Sequence, residues 1–185
     1  NLANASPLTP GVPLGGTLSP AKETDAYRFS AIAGDRFFFD VQGNTDMGST
    51  AWRLVDPFGN EVFNQGFGDI DTQLLTKAGS YTLLIEGYYY NTGLGSYTVN
   101  VQPVAPTTVA AFMLDTTVNG SIAVTGEQDA YTFTLSSASN LYFDSLSNEG
   151  SFNWTLTGPA GTAVNQRSFT SSDWYTSLKD LRNLP

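Results

Sequence analysis

Three consecutive tyrosines, Tyr88, Tyr89 and Tyr90, followed by Asn91, and four aspartates, Asp25, Asp56, Asp69 and Asp71, are the side chains whose types and spacing suggest chemistry. A tyrosine offers contact area, a π face and a hydroxyl, which suits sugars and extended polypeptides. Side chains alternate along a strand, so three in a row cannot all face a core. At least one ring is therefore expected in solvent, beside the loop Asn91-Thr92-Gly93-Leu94-Gly95. Asp69 and Asp71 flank Ile70, which places both carboxylates on one side of an extended segment. Together with Asp25, Asp40, Asp46 and Asp56 they are oxygen donors of the kind calcium gathers, about six to eight at a time. No contiguous EF-hand or nonapeptide loop is present, so a calcium site would have to be assembled from separate loops. The ordinary role of Asp at turns is to cap backbone N–H groups and keep a surface soluble.

Other chemistry is excluded by what the chain lacks. With no His and no Cys it has no Ser-His-Asp or Cys-His nucleophile, no thiolate redox centre and no zinc site of the usual ligands. Acidic pairs could in principle hydrolyse glycosides, yet no constellation stands out and no motif surrounds Lys22, Lys77 or Lys179. The reading is of a protein that is not an enzyme. Seventeen acidic against eight basic residues give a net charge of −9, which disfavours nucleic acid, whose binding rests on Lys and Arg at phosphates. No apolar run approaches the roughly 20 residues of a membrane span. The chain opens on neither Met nor a signal peptide, and is expected to be a mature or excised fragment. A Thr/Ser/Asn/Gly-rich, acidic, Lys-poor and cysteine-free composition suits an extracellular or cell-surface bacterial module.

The elements that must position these residues emerge from an internal repeat. Glu23-Thr24-Asp25-Ala26-Tyr27-Arg28-Phe29 recurs as Glu127-Gln128-Asp129-Ala130-Tyr131-Thr132-Phe133, an offset of 104. Gly16-Thr17-Leu18 matches Gly120-Ser121-Ile122, and Phe39-Asp40 matches Phe143-Asp144, at the same offset. Trp52-Arg53-Leu54-Val55-Asp56-Pro57-Phe58-Gly59 answers Trp154-Thr155-Leu156-Thr157-Gly158-Pro159-Ala160-Gly161 at an offset of 102. Asp25 and Asp129 both stand beside a strand start, where bonding to the backbone of a neighbouring loop is expected. Trp52 and Trp154, and Tyr27 and Tyr131, repeat as shared core positions would.

Each copy reads as antiparallel β. Residues 25–29 alternate, with Tyr27 and Phe29 on one face. Residues 36–41 are aromatic-rich, and 51–55 end at the turn Asp56-Pro57-Phe58-Gly59-Asn60, with 61–64 returning. Residues 81–86 and 96–101 read as a last strand pair across a Gly- and Asn-containing loop. Strand spacing of about 8–12 residues describes a sandwich. The expected architecture is all-β: two tandem antiparallel, jelly-roll-like β-sandwiches, the second lacking its last strands. The expected boundaries are a leading linker over 1–15, copy one over 16–102, a Pro-containing linker over 103–109, and an incomplete copy two over 110–185. Only 172–184, with Trp174, Leu178 and Leu181 spaced by three and four, suggests a helical turn. The second copy stops where its Gly-Tyr strand should begin, about 25 residues short of the first, leaving apolar side chains and open edges. Either the protein continues beyond this fragment, or another chain donates the strands.

These blocks resemble the bacterial pre-peptidase C-terminal domain family, through Gly16-Thr17-Leu18, Asp25-Ala26-Tyr27-Arg28-Phe29, Ala33-Gly34, Leu54-Val55-Asp56-Pro57-Phe58-Gly59, Ala78-Gly79-Ser80-Tyr81 and Tyr97-Thr98-Val99. The match covers about residues 12–103 and, less fully, 112–165; the second copy has Ala138-Ser139 for Ala-Gly and Gly158 where Asp56 stands. The resemblance implies a β-sandwich of secreted bacterial proteins, found beside catalytic domains or in tandem arrays. It is similar to the collagen-binding domains of bacterial collagenases, which bind calcium and a fibrous ligand. The expected function is a non-catalytic accessory, adhesion or spacer module whose partner is the rest of a larger polypeptide. One alternative is a module binding carbohydrate or fibrous protein through residues 88–91, assisted by calcium at Asp25, Asp56, Asp69 and Asp71. Another is a processing or targeting segment of a secreted peptidase.

Overall fold

The computed structural model describes residues 4–139 and 141–171. The helical turn expected over 172–184 lies outside them. Nine strands build the first repeat: β1 (Ser6–Pro7), β2 (Leu14–Leu18), β3 (Thr24–Ala31), β4 (Arg36–Thr45), β5 (Thr50–Val55), β6 (Glu61–Gly66), β7 (Ile70–Leu74), β8 (Gly79–Gly87) and β9 (Gly95–Val104). They form two sheets, of order β1-β3-β8-β5-β6 and β2-β9-β4-β7. All pairings are antiparallel except β1 with β3. The protein is all-β.

Alternation explains which faces meet. Tyr27, Phe29 and Ala31 on β3, Trp52 and Leu54 on β5, and Tyr81, Leu83 and Ile85 on β8 turn inward from the first sheet. Leu18 on β2, Phe37 and Phe39 on β4, Ile70 on β7, and Tyr97, Val99 and Val101 on β9 answer from the second. Ring edges interlock across the gap: Phe29 against Phe37 at 5.3 Å, Phe39 against Phe63 at 4.9 Å and against Trp52 at 6.0 Å. Such edge-to-face pairs each contribute about 0.5–1.5 kcal/mol beyond area burial.

Three expectations are corrected. Residues 1–15 are not simply a linker: β1 pairs with β3, β2 begins at Leu14, and Ala5 and Leu8 are buried. The three prolines allow this because β1 is an edge strand, where a missing N–H costs no ladder bond. Residues 81–86 and 96–101 do not pair with each other. β8 lies between β3 and β5 and β9 between β2 and β4, so the intervening loop crosses from one sheet to the other. The linker expected over 103–109 begins inside β9, where Pro103 and Val104 face Phe37 and Arg36.

The chain divides into two compact units, Asn1–Tyr131 and Thr132–Pro185, and the division falls inside the second repeat. The early part of that repeat packs on the outer face of the β4/β7 sheet. A Cβ at Gly126 would lie 2.9 Å from Cβ of Phe38, and the Thr72 hydroxyl donates to the Gly126 carbonyl at 2.9 Å. A two-stranded sheet of β10 (Val109–Ala111) and β11 (Ala130–Thr132) follows, then a hairpin of β12 (Asn153–Gly158) and β13 (Gly161–Ser168) and a 3-10 turn at Phe169–Ser171. Among the described residues the second repeat forms these two pairs and not the second sandwich that was expected.

Candidate functional site

The tyrosine triplet sits at one end of the first sandwich, on the loop that joins its two sheets. β8 ends at Gly87, and only glycine fits there: a Cβ would collide with the Ala21 carbonyl oxygen. The Gly87 N–H donates to Glu23 O at 2.9 Å and the Tyr88 N–H to Ser49 O at 3.2 Å. A turn follows, closed by the Asn91 N–H donating to Tyr88 O at 2.9 Å. The three tyrosines therefore lie in a turn and not in a strand, so strand alternation does not govern them. All three are exposed, at 48%, 85% and 56%. The rings of Tyr88 and Tyr90 stack at 5.7 Å, and Tyr89 meets Tyr90 edge-on at 5.2 Å. Leu94, on the same loop, is also exposed.

Asn91, grouped with the tyrosines as a ligand contact, has a different job. Its amide donates to the carbonyls of Ser49 at 2.6 Å and Met47 at 3.2 Å, and its carbonyl accepts from the Ser49 N–H at 3.3 Å. These bonds clip the tyrosine turn to the segment entering β5. A side chain that satisfies loop backbone in this way is a support for the aromatic surface rather than part of it.

The four aspartates go to separate structural tasks. Asp56 is buried at the β5–β6 turn, where its carboxylate accepts from the N–H groups of Phe58 (2.8 Å) and Asn60 (2.9 Å) and from Lys77 Nζ (2.5 Å). The lysine, then the Asn60 and Phe58 donors, hold its carboxyl well below the usual carboxylate range. Asp69 accepts from the Val41 N–H at 2.9 Å, beside a register shift between β4 and β7. Asp71 accepts from the Thr72 N–H at 2.7 Å. Asp25 accepts from the Tyr97 hydroxyl at 2.5 Å, not from loop backbone as expected. Among the described residues no three His, Cys, Asp or Glu side chains gather as metal ligands.

Sequence reasoning missed the buried chain that Asp25 terminates. Tyr97 donates its proton to Asp25, so the 2.6 Å contact between the two tyrosine hydroxyls has Tyr27 as donor. Burial, then the bonds to Asp25 and Tyr27, push the Tyr97 hydroxyl far above the ordinary tyrosine range. Gly16 makes room for it, since a Cβ there would collide with the Tyr97 hydroxyl oxygen. The recurring Asp-x-Tyr and the recurring glycine at 16 and 120 were the signal; what they surround was not legible without Tyr97 in place.

No family model matches the chain, and no curated protein matches it. Solved structures similar to it include the periplasmic inhibitor of g-type lysozyme, PliG, from Aeromonas hydrophila. That similarity has 16% identity and a TM-score of 0.39, over 53% of this chain and 96% of that one. The PliG of Salmonella Typhimurium is similar at 16% identity and a TM-score of 0.41, over 52% of this chain and 95% of that one. The pre-peptidase C-terminal domain of collagenase from Bacillus anthracis is similar at 21% identity and a TM-score of 0.43, over 52% of this chain and 93% of that one. With TM-scores below 0.5 and identities of 21% or less, none of these similarities carries a functional reading of this chain.

Proposed function

We propose that this chain is a non-catalytic accessory module of a larger secreted or cell-surface bacterial protein, and that its first repeat contacts an extended polymer, a glycan or a fibrous protein chain, through Tyr88, Tyr89 and Tyr90. The observation that supports this reading is the exposure of three adjacent rings on a turn whose backbone is fixed by Gly87 and Asn91. Rigid aromatic contacts lose little conformational entropy on binding. Stacked and edge-on rings together offer a platform along which a sugar ring or an extended peptide can lie. The candidate aspartates do not need calcium to complete their bonding, because internal donors already meet Asp25, Asp56 and Asp69.

The test is the triple variant Tyr88→Ser, Tyr89→Ser, Tyr90→Ser on glycan and fibrous-protein arrays, with calcium and with chelator. The wild-type chain is expected to bind at least one polymer class in both conditions. The triple variant is expected to lose about tenfold or more, since aromatic anchors commonly carry over 1 kcal/mol each. Unchanged binding by the variant, with an unchanged melting temperature, would overturn the reading.

A further inference from the structure

The two repeats share sequence blocks in the same order, yet only the first forms a sandwich. A comparison of strand pairs locates the difference. In the first repeat β8 bridges β3 and β5, and β9 bridges β2 and β4. Without those two strands, the pairs of the first repeat that need neither are β1 with β3, β5 with β6, and β4 with β7. At the offset of 104, β10 and β11 are the counterparts of β1 and β3; at the offset of 102, β12 and β13 are those of β5 and β6. The counterpart of β7 lies outside the described residues. The second repeat thus forms the pairings that survive the loss of β8 and β9.

Two further observations, one in each compact unit, point to the same missing piece. In the first unit, Gly120 and Tyr131 stand where Gly16 and Tyr27 stand in the first repeat. A Cβ at Gly120 would meet Asp129 Oδ2 at 2.7 Å and the Tyr131 hydroxyl at 3.0 Å, and that hydroxyl bonds directly to Asp129. The set that holds the Tyr97 hydroxyl in the first repeat is therefore repeated with nothing between its members. Tyr131 is 42% exposed against 9% for Tyr27, and Ile122 is 36% exposed against none for Leu18. In the second unit, β12 has one strand partner among the described residues where β5 has two. Trp154 stacks on Phe143 at 4.1 Å, as its counterparts Trp52 and Phe39 meet in the first repeat.

We infer that the second repeat is a receptor for one β-arch of the chemistry of residues 79–104, joined to it in the same chain. The first strand of that arch carries the pattern Gly-x-Tyr-x-Leu-x-Ile and pairs antiparallel with β12, as β8 pairs with β5. The second carries Gly-x-Tyr-x-Val-x-Val, and its tyrosine hydroxyl enters between Gly120, Tyr131 and Asp129. The occupant is specified by the first repeat itself, where such an arch buries Tyr81, Leu83, Ile85, Tyr97, Val99 and Val101. Neither pattern occurs in the sequence after residue 171.

The experiment appends a copy of residues 79–104 to the full chain after Pro185 and follows amide exchange at Ala130–Thr132 and Asn153–Gly158. The expected result is slowing of about 100-fold or more, as these amides pass from local opening to opening of a whole sandwich. A control chain carries Tyr81→Ser, Leu83→Ser and Ile85→Ser in the appended copy only, and is expected to give no slowing. Unchanged exchange in the extended chain, or equal slowing in the control, would overturn the inference. Equal protection of the unextended chain by a free 79–104 peptide at micromolar concentration would overturn the same-chain source of the arch, because a tethered arch acts at an effective concentration near millimolar.

Discussion

Asp56 shows how much one turn residue can be asked to hold. Two backbone N–H groups, the Asn60 amide and the Lys77 ammonium converge on its carboxylate, and Lys77 also lies 5.2 Å over the Phe58 ring. Its carboxyl is held below its ordinary value, so the unfolded chain takes up a proton before the folded one does. The stability it contributes is therefore fully present above about pH 4 and is lost as the pH falls through the lowered value. Asp56→Asn should melt several degrees lower at neutral pH, and its melting temperature should fall less steeply than that of the wild type below about pH 4. Calorimetry across that range checks both; parallel curves would show that Asp56 is not the group being titrated. The turn itself was legible in Asp56-Pro57-Phe58-Gly59-Asn60, because Pro presets one φ and Gly59 adopts the positive φ of +85° that the turn requires. The lysine partner was not, since Lys77 arrives from 21 residues away and no local pattern marks it.

Strands are local and their partners are not, and that divides what alternation could reveal from what it could not. The inward faces of β3 and β5 follow from period two, and the β5–β6 hairpin follows from its turn. The loop after Gly87 is short and rich in Asn and Gly, which is what a hairpin and an arch both look like, so the sheet that β9 joins could not be read. Asn91 belongs to the same difficulty: in sequence it is the polar end of an aromatic cluster, and in the fold it pins the arch to Met47 and Ser49. Asn91→Ala leaves those carbonyls without their donor, and such a loss costs about 1–3 kcal/mol. A lower urea midpoint with an unchanged slope, together with faster exchange of the Tyr88 amide, is the expected outcome. If exchange at Tyr88 is unaltered, the clip is not what orders the tyrosine turn.

The repeat was legible at the scale of the whole molecule, and its consequence was legible only in part. Matching blocks identify two copies, but they do not say that the strands absent from the second are the central ones of both sheets. Losing an edge strand shortens a sheet; losing β8 and β9 counterparts separates strands that otherwise share a neighbour. The effect reaches every layer of the second repeat. Positions equivalent to core residues become exposed, as at Ile122 and Tyr131, and every residue from 113 to 125 is exposed and outside any strand. The first repeat has no such stretch, because each of its nine strands is paired and its interior is closed by the aromatic contacts between sheets. Proteases act on segments that open at little free-energy cost, so the two repeats should differ sharply in susceptibility. Brief digestion with a protease of broad specificity should cut first between residues 113 and 125. Mass spectrometry should then find a persistent fragment that retains β1 to β9. Cuts spread evenly over both repeats would mean that the first sandwich draws essential stability from the second repeat, against the closed set of pairings that its own strands make.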